Sequence, residues 1–232
     1  MKKNLRLHEL NELLCDAVQT KSDEFNVFFK QILELKQQKD IEDDVDWDDV
    51  YYVAAYNANL PALEMLLINA IYSEYPANLL FTAISSGSVE MVELVIRHEN
   101  KYIPEENRCS RSMAFVRAAE TDIAWANIME ALLDAGAIPD NAALVDWPAD
   151  DGKVEKTKWI QEHFKFKSEN WDTTLTTAVR NHQWKLVDYL LSAIRDIEPS
   201  NLNKVIERYL STKLGLEGIE EFNYLRKKYI ND

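Results

Sequence analysis

The chain has 232 residues and a formal net charge of −14, with 47% hydrophobic and 28% charged residues. An acidic surface of this kind disfavours a nucleic-acid groove or contact with an anionic membrane, because both select Lys and Arg. With 5 Gly and 6 Pro, an all-β fold built on many tight turns is not expected. No apolar run approaches the roughly 18 residues of a membrane helix, so no membrane insertion is expected either.

The two cysteines, Cys15 and Cys109, lie far apart in the sequence. This spacing predicts reduced, buried, structural thiols in a cytoplasmic protein.

Helical hairpins are predicted one after another along the chain. Each hairpin has a short first helix, a tight turn and a second helix with one apolar face, as at Val89, Val92 and Ile96. The predicted hairpins span about 5–37, 44–71, 76–100, 110–137, 141–165, 171–196 and 201–230. The apolar centres of their second helices recur at a mean spacing of about 33 residues. These centres are Phe29, Leu66, Val95, Leu132, Ile160, Leu190 and Leu225.

Stacking of neighbouring hairpins follows from this repeat, because one hairpin cannot bury its apolar face alone. Gly87 and Gly152 are predicted to take a positive φ in the inter-helix turns, and Gly136 to cap a helix. A small residue at one position of five of the first helices allows close approach of the neighbours, and Pro148 replaces it in another. The five small residues are Ala17, Ala54, Ala83, Ala118 and Ala178. The sequence therefore predicts an all-α solenoid of six or seven hairpins that forms one domain over residues 1–232.

The repeat resembles the ankyrin-repeat family over residues 12–228, best in LLDAGA at 132–137 and GSVEMVEL at 87–94. The chain departs from that family, since TTLT at 173–176 is its nearest approach to the Thr-Pro-Leu-His motif. Ala58, Asp122 and His182 also replace the turn glycine. Because the missing motif normally stiffens each repeat, the resemblance implies irregular curvature and modest stability. Another helical-hairpin solenoid is the alternative fold.

The resemblance implies a non-enzymatic scaffold that binds a partner protein. Ankyrin-like stacks hold their partners on a concave face formed by loop tips and first helices. The matching positions of the first helices are Tyr56, Asn57, Ser85, Ser86, Glu120, Thr121, Asp150, Asp151, Arg180 and Asn181. The candidate residues at the loop tips are Asp46, Trp47, Asp48, Tyr75 and Trp171.

The densest run of charge is 40–49. Its alternating aspartates resemble the start of a calcium loop, but Asp49 and Ala55 stand where such a loop needs Gly and Glu. The run is either a solvated loop before a helix capped by Asp48 or Asp49, or an acidic patch around an exposed Trp47. The second interpretation predicts a partner with a basic surface.

Catalytic and metal-binding motifs are the remaining candidates for chemistry. His8, His98, His163 and His182 fall in no metal-binding or catalytic spacing. The segment SSGS at 85–88 is not a nucleophile elbow. We expect no metal, no cofactor and no enzymatic activity. The alternative is an unrecognised enzyme with a site built across several repeats.

The C-terminal segment offers a second alternative. Residues 217–221, EGIEE, resemble the glutamate-rich tail signals of bacterial type IV secretion effectors, among which ankyrin-like repeats are common. This resemblance implies an effector that is secreted into a host cell and blocks a host protein. The other interpretation is a capping helix with a polar outer face.

Overall fold

The computed structural model describes residues 2–36, 47–69, 76, 78–138, 152–164, 174–175, 177–193, 220, 223–225 and 227–228. These residues form helices and turns with no strand among them, so the predicted all-α class is confirmed for this part of the chain. The chain divides into two compact units, Met1–Ala137 and Ile138–Asp232. A single domain over residues 1–232 stays a prediction.

The described part of the first unit contains eight α-helices, which pair in chain order into hairpins 1 to 4. Hairpin 1 is α1 (Lys2–Gln19) with α2 (Phe25–Lys36), and hairpin 2 is α3 (Trp47–Tyr56) with α4 (Leu60–Asn69). Hairpin 3 is α5 (Leu79–Ser85) with α6 (Val89–Tyr102), and hairpin 4 is α7 (Arg111–Glu120) with α8 (Trp125–Asp134). A 3-10 turn, Glu105–Asn107, lies in the connection between hairpins 3 and 4.

Each hairpin of the first unit packs against the next one along the chain. The first helices α1, α3, α5 and α7 contact one another in that order, and so do the second helices α4, α6 and α8. The hairpins therefore form two layers, a first-helix layer and a second-helix layer. Each hairpin buries its apolar face against its neighbours, as stacked repeats require.

The first helices share one pattern of burial. The predicted alanine is buried in each, and so are the residue that follows it and the residue three positions before it. These buried rows are Leu14, Tyr51, Leu80 and Phe115, then Ala17, Ala54, Ala83 and Ala118, then Val18, Ala55, Ile84 and Ala119. The repeated pattern fixes the register, so residues at one offset from the buried alanine occupy equivalent positions on successive first helices.

The turn of hairpin 2 shows how a first helix ends. The N–H of Asn59 donates to the carbonyl of Ala54 at 2.9 Å, and the N–H of Ala58 donates to that of Ala55 at 3.1 Å. These are the paired bonds of a Schellman motif, which needs a left-handed residue after the helix. Ala58 supplies it at φ 50°.

The same left-handed position recurs in other hairpins. It is occupied by Lys21 at φ 54°, Gly87 at φ 71°, Gly152 at φ 66° and His182 at φ 57°. The positive φ predicted for the two glycines is confirmed. Non-glycine residues hold this conformation in three turns, so the backbone geometry of the turn persists where its glycine is lost.

Hairpin 4 turns differently. Its left-handed residue is Ala124 at φ 47°, so the assignment of Asp122 to the turn-glycine position is wrong. The reason is that α7 ends on Thr121 in an extended conformation, which lengthens the turn. Gly136 closes α8 with φ 87° and an N–H bond to Leu133 at 2.9 Å, which confirms the predicted cap.

Replacing Ala58 with glycine is expected to raise the free energy of unfolding by about 0.5–1 kcal/mol. Glycine removes the left-handed strain of roughly 1–2 kcal/mol, and the greater freedom of the unfolded chain offsets part of that gain. Urea unfolding measures the change. The matched control is Ala131→Gly inside α8, where the same substitution should cost about 1 kcal/mol. A loss of stability in both variants would contradict the prediction.

The second unit contains α9 (Val154–His163) and α10 (Trp184–Ala193), which contact each other. Residues 174–175, 177–180, 220, 223–225 and 227–228 are also helical. Lys228 Nζ lies 2.8 Å from Asp188 Oδ1, which ties the C-terminal helical residues to α10. The buried core of this unit consists of Leu175, Ala178, Val179, Leu186, Val187, Leu190 and Leu225.

Candidate partner-binding surface

Six predicted contact residues lie where the first helices of hairpins 2, 3 and 4 end. They fall two and three positions after the buried alanine of each helix, so they share equivalent positions along one edge of the first unit. They are Tyr56, Asn57, Ser85, Ser86, Glu120 and Thr121. We call this edge, which also contains the inter-helix turns, the turn edge.

Contacts between neighbouring turns hold the turn edge together. Asn59 Nδ2 donates to the carbonyl of Val18 at 2.9 Å, which links hairpin 2 to hairpin 1. Gly87 lies so close to Ile123 that an added Cβ would meet its Cγ2 at 2.5 Å, so the turns of hairpins 3 and 4 also touch. A cavity of about 400 Å³ lies between the first two turns, lined by residues 21–23, 25–26, 58–62 and 65.

Most polar groups of the six residues bond within their own helices. Asn57 Nδ2, Ser85 Oγ, Ser86 Oγ and Thr121 Oγ1 each donate to a carbonyl three or four residues earlier, at 2.6–3.0 Å. Glu120 pairs with Arg117 Nη1 at 2.6 Å. Because the single hydroxyl protons of Ser85, Ser86 and Thr121 already have acceptors, these three side chains offer a partner mainly acceptor oxygens.

The assignment of Trp47 to an exposed loop tip is wrong. Its side chain is only 6% exposed, and its ring meets Phe29 edge-on at 6.2 Å. The physical reason is helical phase, because α3 begins at Trp47 and places it in line with the buried Val50 and Tyr51. Asp48 is exposed in the first turn of α3 rather than at its N-cap, where a carboxylate interacts well with the helix dipole.

The remaining predicted contact residues divide into two groups. Arg180 and Asn181 of the second unit are exposed, two and three positions after the buried Ala178. They therefore match the positions that Tyr56 and Asn57 hold after Ala54. The others lie outside the described residues: Asp46, Tyr75, Asp150, Asp151 and Trp171.

One row on the first helices was missed by the sequence reasoning. It lies two positions before the buried alanine, where the side chains are half-buried or exposed and apolar in every hairpin of the first unit. We call it the apolar stripe, and it consists of Cys15, Tyr52, Phe81 and Val116. The predicted alanines were the signal that could have identified this row, because each of its residues lies two positions before one of them.

The most exposed part of the stripe is aromatic. Tyr52 stacks on Tyr56 with a centroid distance of 5.7 Å and an interplanar angle of 12°, and the two residues are 52% and 53% exposed. Asp48 and Asp49 are exposed at the start of the same helix. The outer face of α3 therefore combines stacked rings with negative charge.

A buried ion pair joins hairpin 3 to hairpin 4. Glu99 of α6 is completely buried, and its Oε2 accepts from Arg111 Nη1 at the start of α7. Arg111 Nη2 also donates to Asn100 Oδ1 at 3.3 Å. Glu99 Oε1 is also buried, and it has no hydrogen-bond partner among the residues that the structure describes. Because a buried carboxylate is stable only when it is paired, the ion pair ties the start of α7 to α6.

Cys109 lies beside this ion pair. It is half-buried rather than fully buried as predicted, and so is Cys15; neither thiol is in a disulfide. Burial, and after it the Glu99 carboxylate, raise the pKa of Cys109 from 9.0 to about 12, with Arg111 acting in the opposite direction. The folded chain therefore holds the thiol proton more tightly than the unfolded chain, and stability is lost as the pH rises from 9.0 toward 12.

Alkylation of Cys109 at pH 8 is expected to be roughly 100-fold slower in the folded chain than in urea, because the thiolate is the reacting form. The Cys15→Ser variant isolates Cys109, and mass spectrometry follows iodoacetamide labelling. Equal rates for the folded and unfolded chains would contradict the shift.

No protein-family model matches the sequence, and comparisons with curated proteins and with solved structures give no match. No helix in the described ranges is long and apolar enough to cross a membrane. The same ranges contain no cluster of three His, Cys, Asp or Glu side chains that could hold a metal ion. The evidence for the candidate surface is therefore the geometry of the first-helix layer.

Proposed function

We propose that the chain is a non-enzymatic protein–protein interaction scaffold, an ankyrin-like helical solenoid that holds a partner protein on the exposed face of its first helices. The observation that carries this proposal is the stacking of four hairpins in chain order. Stacked repeats create extended surfaces to which each repeat contributes a few side chains. The apolar stripe is such a surface in the first unit.

The composition around the apolar stripe also supports binding. One flanking row contains Gln19, Tyr56, Ser85 and Glu120, and the other contains Glu12, Asp49, Asn78 and Met113. Apart from Tyr56 and Met113 these flanking side chains are polar, and an apolar centre with a mainly polar rim is the arrangement that protein interfaces use. The partner on this face would bury the stripe and leave the rim in water.

Site-specific photo-crosslinking tests the proposal. Benzoylphenylalanine placed at Phe81 or Val116 of the first-helix layer should capture the same partner in both variants. The matched controls carry it at Glu93 or Glu130, which are exposed on second helices, and should give no adduct with that partner. Capture only from the control positions would reject the proposed face.

A further inference from the structure

We propose that the stacked Tyr52 and Tyr56 rings anchor a lysine or arginine side chain, and that the docking segment of the partner is basic. This inference rests on the proposed function, because it names the chemistry of the partner held by the first-helix face. The anchor lies on α3, where one ring belongs to the apolar stripe and the other to the turn edge.

The geometry of the rings suits a cation. They are nearly parallel, at 12°, and more than half of each residue is exposed. A tyrosine face attracts a cation within about 6 Å of its centroid. Elsewhere in the first unit Lys101 Nζ lies 4.8 Å from the centroid of Tyr102, so an exposed tyrosine here already takes a cation. Among the described residues, no lysine or arginine lies over Tyr52 or Tyr56.

The charges around the rings select the occupant. Asp48 precedes Tyr52 by one helical turn, and Asp49 is exposed beside it. Glu12 of α1 is exposed five positions before its buried alanine, the position that Asp49 holds on α3. Asp16 is also exposed on α1. Complementary charge favours a basic segment here and disfavours an acidic peptide.

The same charges argue against a second copy of this chain as the occupant. A symmetric pairing through this face would bring the carboxylates of α1 and α3 against their own counterparts, and like charges in an interface are unfavourable. The net charge of −14 adds to that repulsion. A different protein with exposed lysine or arginine meets neither penalty.

Fluorescence anisotropy with the full chain tests the anchor. The probe is a fluorescein-labelled peptide of alternating arginine and glycine, compared with one in which glutamate replaces arginine. Tyr52→Ala and Tyr56→Ala should each weaken binding of the basic peptide roughly three- to fivefold. Tyr52→Phe should keep most of the affinity, because phenylalanine retains the ring face. Tyr102→Ala removes an exposed tyrosine outside the surface and should change nothing.

Three results would overturn the anchor. One is unchanged affinity in both alanine variants. Another is weakening by Asp48→Asn without weakening by Tyr52→Ala, which would mean that bulk charge alone attracts the peptide. The third is a concentration-dependent dimer that Tyr52→Ala abolishes in sedimentation, which would make a second copy the occupant. If the crosslinks at Phe81 and Val116 persist in any of these cases, the scaffold proposal survives and the basic-partner inference fails alone.

Discussion

Replacing Arg111 with methionine is expected to lower the free energy of unfolding by about 3 kcal/mol, because it leaves a buried carboxylate without its cation. Glu99 has 0% side-chain exposure and Arg111 has 12%, so water cannot replace the lost partner. The variant should unfold at a lower urea concentration with an unchanged m-value. Arg111 and Glu99 belong to adjacent hairpins, so the loss measures how strongly that interface depends on one contact.

The chain supplies a matched control for this experiment. Arg117 and Glu120 form an ion pair on α7 with side-chain exposures of 51% and 34%. Exposed pairs contribute only about 0–1 kcal/mol, so Arg117→Met should have a small effect. The double variant Arg111→Met with Glu99→Leu should recover to within about 1 kcal/mol of the parent, because no buried charge is left unpaired. Equal losses in the two single variants would contradict the role of burial.

Replacing Gly87 with alanine is expected to cost about 2–3 kcal/mol. The left-handed backbone at φ +71° strains any residue with a Cβ, by roughly 1–2 kcal/mol. The new Cβ would also lie 2.5 Å from Ile123 Cγ2 and 2.8 Å from Ile123 Cβ, so the turn of hairpin 4 must shift. Thermal unfolding and urea titration of the variant measure the combined effect.

Gly136 separates the two contributions. It has a similar φ of +87°, but an added Cβ there would have nothing within 4 Å. Gly136→Ala should therefore cost only about 1–2 kcal/mol from the backbone. Adding Ile123→Ala to Gly87→Ala should recover part of the difference between Gly87→Ala and Gly136→Ala, because it removes Cγ2 but leaves the Cβ of residue 123 at 2.8 Å. If the second substitution restores nothing, the turns of hairpins 3 and 4 do not constrain each other.

The helices and their phase could be predicted because they follow from local apolar periodicity. The alanine rows and the two turn glycines depend on positions within one hairpin, and a single sequence contains that information. Trp47 was misplaced because the acidic run before it is typical of a loop. Its spacing of three and four residues from Val50 and Tyr51 already matched a buried helix face.

Contacts between hairpins could not be predicted in the same way. Glu99 and Arg111 are twelve positions apart in the sequence, with a 3-10 turn between them, and no local pattern requires them to meet. The apolar stripe was not predicted because the ankyrin-like resemblance places the binding residues at the ends of the first helices. Its residues are Cys, Tyr, Phe and Val, so they share little beyond their distance from the buried alanine.

The order in which the hairpins touch has a consequence for how the first unit tolerates change. Its principal contacts join only adjacent hairpins, so substitutions in hairpins 2 and 4 should have additive effects on stability. Each pair of helices can then accumulate substitutions almost independently of pairs farther along. This expected independence is consistent with alanine, lysine and glycine occupying the equivalent left-handed position in the turns of three different hairpins.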